Sequence, residues 1–177
     1  MSAYYSGQSG RPYTLRFFGD VNGDGRSGSN SNDLLYIPAS ASEVAFTGGT
    51  YQDFINYING DECLASYIGQ IIPRNACRAP WQNQLDMRFN FGLPFKRVKT
   101  EITLDVLNVI NLLSSDSGLQ RYATFNSIGP VTPVLTNGQI TGYNIAFITS
   151  PTFTDRGFSR DDLRSRWQFQ LGGRIRF

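Results

Sequence analysis

Apolar and polar positions alternate strictly over residues 167–177. Trp167, Phe169, Leu171, Ile175 and Phe177 share one parity, completed by Gly173, while Gln168, Gln170, Arg174 and Arg176 share the other with Gly172. A period of two sends these sets to opposite faces of a strand. Residues 84–93 repeat the pattern, with Leu85, Met87, Phe89, Phe91 and Leu93 set against Asp86, Arg88, Asn90 and Gly92. Residues 100–108 set Ile102, Leu104 and Val106 against Thr103 and Asp105. Pro94, Phe95, Lys96 and Arg97 interrupt the pattern and read as a tight turn, which makes an antiparallel hairpin. Residues 2–10, with Tyr4 and Tyr5 suited to an interface, supply one more strand.

Each alternating stretch offers one face apolar enough for lipid and one polar enough for a wet interior. A tilted strand needs about 9–11 residues to cross the hydrocarbon layer. The expected fold is therefore all-β, a fragment of a transmembrane antiparallel β-barrel. Its strands lie near 2–10, 84–94, 99–109 and 164–177, and long extracellular loops cover 13–83 and 111–162. The lipid-facing set is Leu85, Met87, Phe89, Phe91, Leu93, Ile102, Leu104, Val106, Trp167, Phe169 and Leu171. Short periplasmic turns and long outer loops place the 94–97 turn and Phe177 on the periplasmic side. Within the loops, 52–58 and 63–69 read as short helices. Segments 131–136 and 140–145 read as a hairpin around Asn137-Gly138, a type I′ turn signal. The edge strand of a soluble sandwich also alternates and is the rival reading.

Composition supports β structure: 18 Gly, 13 Phe and 9 Tyr, with 17% charged residues. The formal charge of +2 and the scattered basic residues give no nucleic-acid stripe. The absence of His removes His metal sites and Ser-His or Cys-His nucleophiles. No run of about 18 apolar residues suits a membrane helix. The first ten residues lack the basic and apolar regions of a signal peptide. Together with the barrel reading, this leads us to expect a carboxy-terminal piece of a longer protein, with Met1 either an internal residue or an assigned start.

Asp20-Val-Asn-Gly-Asp-Gly25 spaces oxygen ligands at one, three and five and puts glycine at six, like the opening of a calcium loop. Ser31 stands at the twelfth position instead of Glu, and Asp33 is the candidate distal carboxylate. The possible Ca2+ site in the first extracellular loop is thus Asp20, Asn22, Asp24 and Asp33. The same residues also form ordinary turns. Cys63 and Cys77, the only cysteines, would pair outside the cytosol and remain thiols inside it. No two of Asp53, Asp61, Glu62, Asp161 and Asp162 are paired for acid–base work, so an enzyme is not expected. Lys96, Arg97 and Lys99 would meet headgroups or water. Tyr51, Phe54, Tyr57, Tyr67 and Trp81 suffice for a small loop core or a substrate surface.

Ser6-Gly-Gln-Ser-Gly-Arg-Pro-Tyr13, Asp20-Val-Asn-Gly-Asp-Gly25 and Asn32-Asp-Leu-Leu-Tyr-Ile-Pro38 occur here in one order. They are followed by Arg74-Asn75, Cys77, Ala79-Pro80-Trp81 and Leu85-Asp86-Met87-Arg88. This series resembles the carboxy-terminal part of TonB-dependent outer-membrane receptors, and more closely the Oar-like subgroup with a carboxypeptidase-regulatory-like domain. Gln170, Gly172, Ile175 and Phe177 resemble the signal read by the barrel-assembly machinery. The resemblance implies the outer membrane of a Gram-negative bacterium and energised passage of a large or scarce solute. It implies as partners outer-membrane lipid, the plug and other strands of the same receptor, and TonB reached through an amino-terminal part. A secreted, calcium-stabilised β-rich adhesin or binding module is the alternative.

Overall fold

The computed structural model describes residues 1–94 and 98–176. The expected turn residues Phe95, Lys96 and Arg97, and the terminal Phe177, lie outside the described residues. The strands begin with β1 (Ser2–Gln8), β2 (Pro12–Phe17), β3 (Ala45–Thr47), β4 (Cys77–Arg78), β5 (Gln82–Pro94) and β6 (Lys99–Leu107). They continue with β7 (Arg121–Tyr122), β8 (Ser127–Thr136), β9 (Gln139–Asn144), β10 (Ser159–Arg160) and β11 (Gln168–Arg176). The α-helices are short: α1 (Tyr51–Asn59), α2 (Glu62–Ala65), α3 (Val109–Leu113) and α4 (Asp162–Ser165). The fold is thus mainly β, and no helix among the described residues is long and apolar enough to cross a membrane.

Two compact units share the chain. The first holds residues 1–10, 80–121 and Arg160 onward, and the second holds 11–79 and 122–159. In the first, an antiparallel sheet runs in the order β1-β5-β6-β11. These are the four expected strands: β1, β6 and β11 are shorter than expected among the described residues, and β5 begins two residues earlier, at Gln82. β6 stops at Leu107 because Asn108 turns left-handed (φ 52°) and caps α3. The buried Asn108 amide donates to the carbonyls of Gly118, Arg164 and Ser165, which fixes the following loops. Residues 164 and 165, expected in the last strand, instead belong to α4, whose Asp161 side chain accepts from Arg164 N. Capping competes here with extension and wins locally.

The second unit brings most of the two long segments, 13–83 and 111–162, together around one core. Its sheet runs β3-β9-β8-β2-β4, with β2–β8 and β3–β9 parallel. Leu15, Leu35, Ile37, Phe54, Ile58, Leu64, Val131 and Ile145 are fully buried. Phe46, Phe54 and Phe17 pack edgewise around the Tyr143 ring, at centroid distances of 5.3–6.1 Å. α1 begins on a capping box in which Thr50 and Asp53 exchange side-chain and backbone hydrogen bonds. It buries Phe54, Ile55, Tyr57 and Ile58 on one face. α2 is shorter than the predicted 63–69 because Tyr67 N and Ile68 N bond back three residues to Leu64 and Ala65, tightening the chain into turns. The β8–β9 hairpin turns at Asn137 (φ 51°) and Gly138 (φ 76°), both left-handed as a type I′ turn requires.

Candidate functional site

The sheet of the first unit has two chemically distinct faces, and its register shows which residues share each. Residues directly opposite in an antiparallel ladder point the same way. Leu171 lies opposite Leu104, and Leu104 opposite Phe89. Phe169, Val106 and Met87 form a second cross-strand row, and Gly173, Ile102 and Phe91 a third. Ile175, Thr100 and Leu93 form the row beyond, while Leu85 meets Tyr5 of β1. The apolar residues expected to face outward therefore do share one face. Leu171 is 76% exposed, Ile175 59%, Phe169 57% and Phe91 52%. Val106 departs from the set: it is buried, at the end of the sheet where α3 packs on β5.

Aromatic residues mark that end of the apolar face. Trp81 precedes β5 and Trp167 precedes β11, each continuing the apolar parity of its strand, and both are exposed. Tyr5 stands beside Trp81, with Gly7 close to both rings, and Trp167 packs on Phe169 at 5.1 Å. The opposite face is mainly polar, with Tyr4 of β1 and Leu107 of β6 as exceptions. Arg88 Nε and Nη2 donate to the two carboxylate oxygens of Asp105 at 2.6 and 2.8 Å. Arg174 lies opposite Glu101, and Asn90 opposite Thr103. Gln170 and Gly172 of the proposed assembly signal are on this polar face, Ile175 is on the apolar one, and all three are exposed on the edge strand β11.

The Asp20 loop is built differently from the expected cation site. Asp20 Oδ1 accepts from Gly23 N and Asp24 N, and Asp20 Oδ2 accepts from Gly25 N. Asn22 Oδ1 accepts from Asp24 N, Asp24 Oδ1 from Arg26 N, and Asp24 Oδ2 from Asn32 Nδ2. Asp33 turns away to accept from Val21 N. The oxygens thus satisfy the loop's own N–H groups, and Asp20, Asp24 and Asp33 do not converge as a metal-ligating cluster. Accepting these hydrogen bonds, first of all from Asn32, holds the Asp24 carboxyl below its ordinary range. Among the described residues the one close group of metal-ligating types is Asp61, Cys63 and Cys77. Its two sulfurs are joined in a disulfide that links α2 to β4 across a Cα separation of 5.8 Å, so they offer no thiolate.

Of the aromatics read as a loop core, Phe54 and Tyr57 are buried and Tyr51 and Tyr67 half-buried, whereas Trp81 belongs to the other unit. Burial pushes the Tyr13, Tyr57 and Tyr143 phenols well above their ordinary range. Sequence reasoning missed Arg16. It sits on the reverse side of β2, where Tyr13, Leu15 and Phe17 alternate with Thr14 and Arg16, a pattern visible in the sequence but short. Beside it, Phe18, Phe125 and Phe147 are exposed around a cavity of about 410 Å³. Compared with known protein families, curated proteins and solved structures, the chain matches none.

Proposed function

We propose that this chain forms part of the barrel wall and the extracellular loops of a TonB-dependent outer-membrane transporter that passes a large or scarce solute. The observation that carries the reading is the four-stranded sheet with one continuous apolar face, one polar face and aromatic residues at one end. Exposed apolar rows of this extent are unfavourable in water and favourable in a hydrocarbon layer. Arg88, Asp105, Glu101 and Arg174 on the other face suit a wet interior or a plug. Among the described residues β1 and β11 form the two edges of the sheet, and a barrel closes such edges by adding further strands. The second unit, with its disulfide and separate core, supplies the loops that meet solute outside the cell.

Trp81 and Trp167 make the reading testable, since they are the only tryptophans. The full chain is refolded with phospholipid vesicles whose acyl chains carry bromine at a shallow or a deep position. Shallow bromine should quench tryptophan fluorescence most, as expected of rings at the edge of the hydrocarbon layer. Emission identical with and without brominated lipid, from protein that remains soluble beside the vesicles, would overturn the proposal in favour of a secreted binding module.

A further inference from the structure

Arg16 is 7% exposed, yet its guanidinium meets only neutral acceptors. Nε donates to Ser127 Oγ at 3.0 Å, Nη1 to the carbonyls of Gly28 and Phe17 at 2.6 and 3.3 Å, and Nη2 to that of Ser29 at 3.3 Å. Among the described residues no carboxylate forms an ion pair with it. A buried cation ordinarily has an anionic partner, because neutral dipoles offset only part of its desolvation. Burial correspondingly holds this guanidinium below its ordinary range.

The buried Arg16 lies against a cavity of about 390 Å³ within the second unit. Arg26 and Arg74 line the same cavity, both exposed. The rest of its lining is amide, hydroxyl and one aromatic ring, with no carboxylate. Arg26 faces Asp24, but that carboxylate lies outside the lining and is already engaged by Asn32. Asn32 is also among the lining residues, and its Oδ1 is buried behind the cavity surface with no hydrogen-bond partner among the described residues. Phe125 is the ring. It is 84% exposed and held left-handed at φ 54°, ψ 26°, an unfavourable conformation for a bulky residue that tends to cluster at ligand sites.

We infer that this cavity binds a hydroxylated organic oxyanion, such as an acid-bearing sugar, with the exposed Arg26 and Arg74 contacting the anionic group and the buried, uncompensated charge of Arg16 behind them attracting it. Guanidinium groups recognise carboxylate, sulfate and phosphate oxygens through paired hydrogen bonds. Exposed polar side chains of the lining, Ser29 and Asn30, take hydroxyls of the same ligand, and the Phe125 ring lies against its body. The size suits one or two sugar-sized rings, within the range of small-molecule sites. The inference concerns the second unit alone and stands whether or not the first unit's sheet enters lipid.

The test is isothermal titration of the full chain in detergent micelles, its disulfide confirmed closed. The probes are glucuronate, glucose 6-sulfate, glucose 6-phosphate, neutral glucose and acetate. At least one charged sugar should bind tenfold or more tightly than both glucose and acetate, and which one binds best identifies the anionic group. Replacing both exposed arginines (Arg26→Gln with Arg74→Gln) should weaken that sugar at least tenfold and leave glucose unchanged. Asn126→Asp, which places a negative charge in the lining at a left-handed position that Asp tolerates, should have the same effect. The inference is overturned if no charged sugar binds the folded chain, if glucose binds equally well, or if these variants leave charged-sugar affinity unchanged.

Discussion

Placing arginine at Leu171 separates a wall that faces lipid from a sheet that faces water. Leu171 is the fourth residue of the nine in β11, one position from the strand's centre at Gly172. At about 3.4 Å per residue the strand spans roughly 27 Å, so the side chain stands only about 3 Å from the midpoint. Its cross-strand neighbours are Leu104 and then Phe89, so no acidic partner lies in its row. In a membrane, Leu171→Arg should cost about 2–4 kcal/mol, roughly 30- to 700-fold in the folding equilibrium. In water, the same change at a 76% exposed position should fall within about 0.5 kcal/mol. Gln170→Arg is the control. Gln170 lies on the polar face directly opposite Asp105, so a positive charge there has an anionic neighbour and should cost little. Urea unfolding in lipid vesicles, followed by tryptophan emission, measures both variants on the same protein. Equal costs at 170 and 171, or a cost at 171 below 0.5 kcal/mol, would refute the assignment of the apolar face to lipid.

Three further outcomes follow from the second unit. Cys63 and Cys77 should resist alkylation until reductant is added, and opening their 14-residue separation should cost about 3 kcal/mol in the chain-entropy model, read as faster amide exchange in α1 and β2. Exchange unchanged by reduction would show that the bond contributes nothing. Gly138→Val should cost about 1–2 kcal/mol through its left-handed backbone alone, because a Cβ there meets nothing within 4 Å; a neutral result in chemical denaturation counts against the turn type. Tyr13, Tyr57 and Tyr143 ionise near pH 10 when unfolded but resist ionisation when folded, so their contribution is present below that pH and is lost as pH rises beyond it. Urea midpoints for the second unit should therefore fall above about pH 10, and a flat profile from pH 9 to 12 would contradict the burial of these phenols.

The first unit's strands were legible because each states its own two faces. Parity in 84–93 and 100–108 needs no knowledge of a partner, and the short connection between them makes pairing local. The second unit is written in long-range pairs. Leu15 meets Ile128 in a parallel ladder, and Phe46 meets Tyr143, so neither segment shows by itself that it lies in a sheet. Glycine- and asparagine-rich sequence around 19–32 reads as loop whether or not it borders a core. The local signals inside it were sound nonetheless: the short helix at 52–58, the Asn137-Gly138 turn and the cysteine pair all stand in the structure.

The Asp20 loop shows why a spacing motif is a weaker guide than strand parity. Parity fixes direction through backbone geometry, since successive side chains on a strand must point to opposite faces. Ligand spacing fixes only which residues are near, and short acidic side chains near a turn have a second use. Asp20 takes three backbone N–H groups, and Asn22 and Asp24 take one each, so the oxygens a cation would need are the ones that hold the turn together. Arg16 presents the converse case. Only the short alternation of β2 marks it, yet burial leaves its charge without a carboxylate among the described residues and gives it chemical significance. A charged group becomes a candidate for function when the fold buries it and leaves its charge uncompensated. That condition depends on tertiary packing, which brings residues near 16, 28, 74 and 127 to one cavity from distant parts of the sequence.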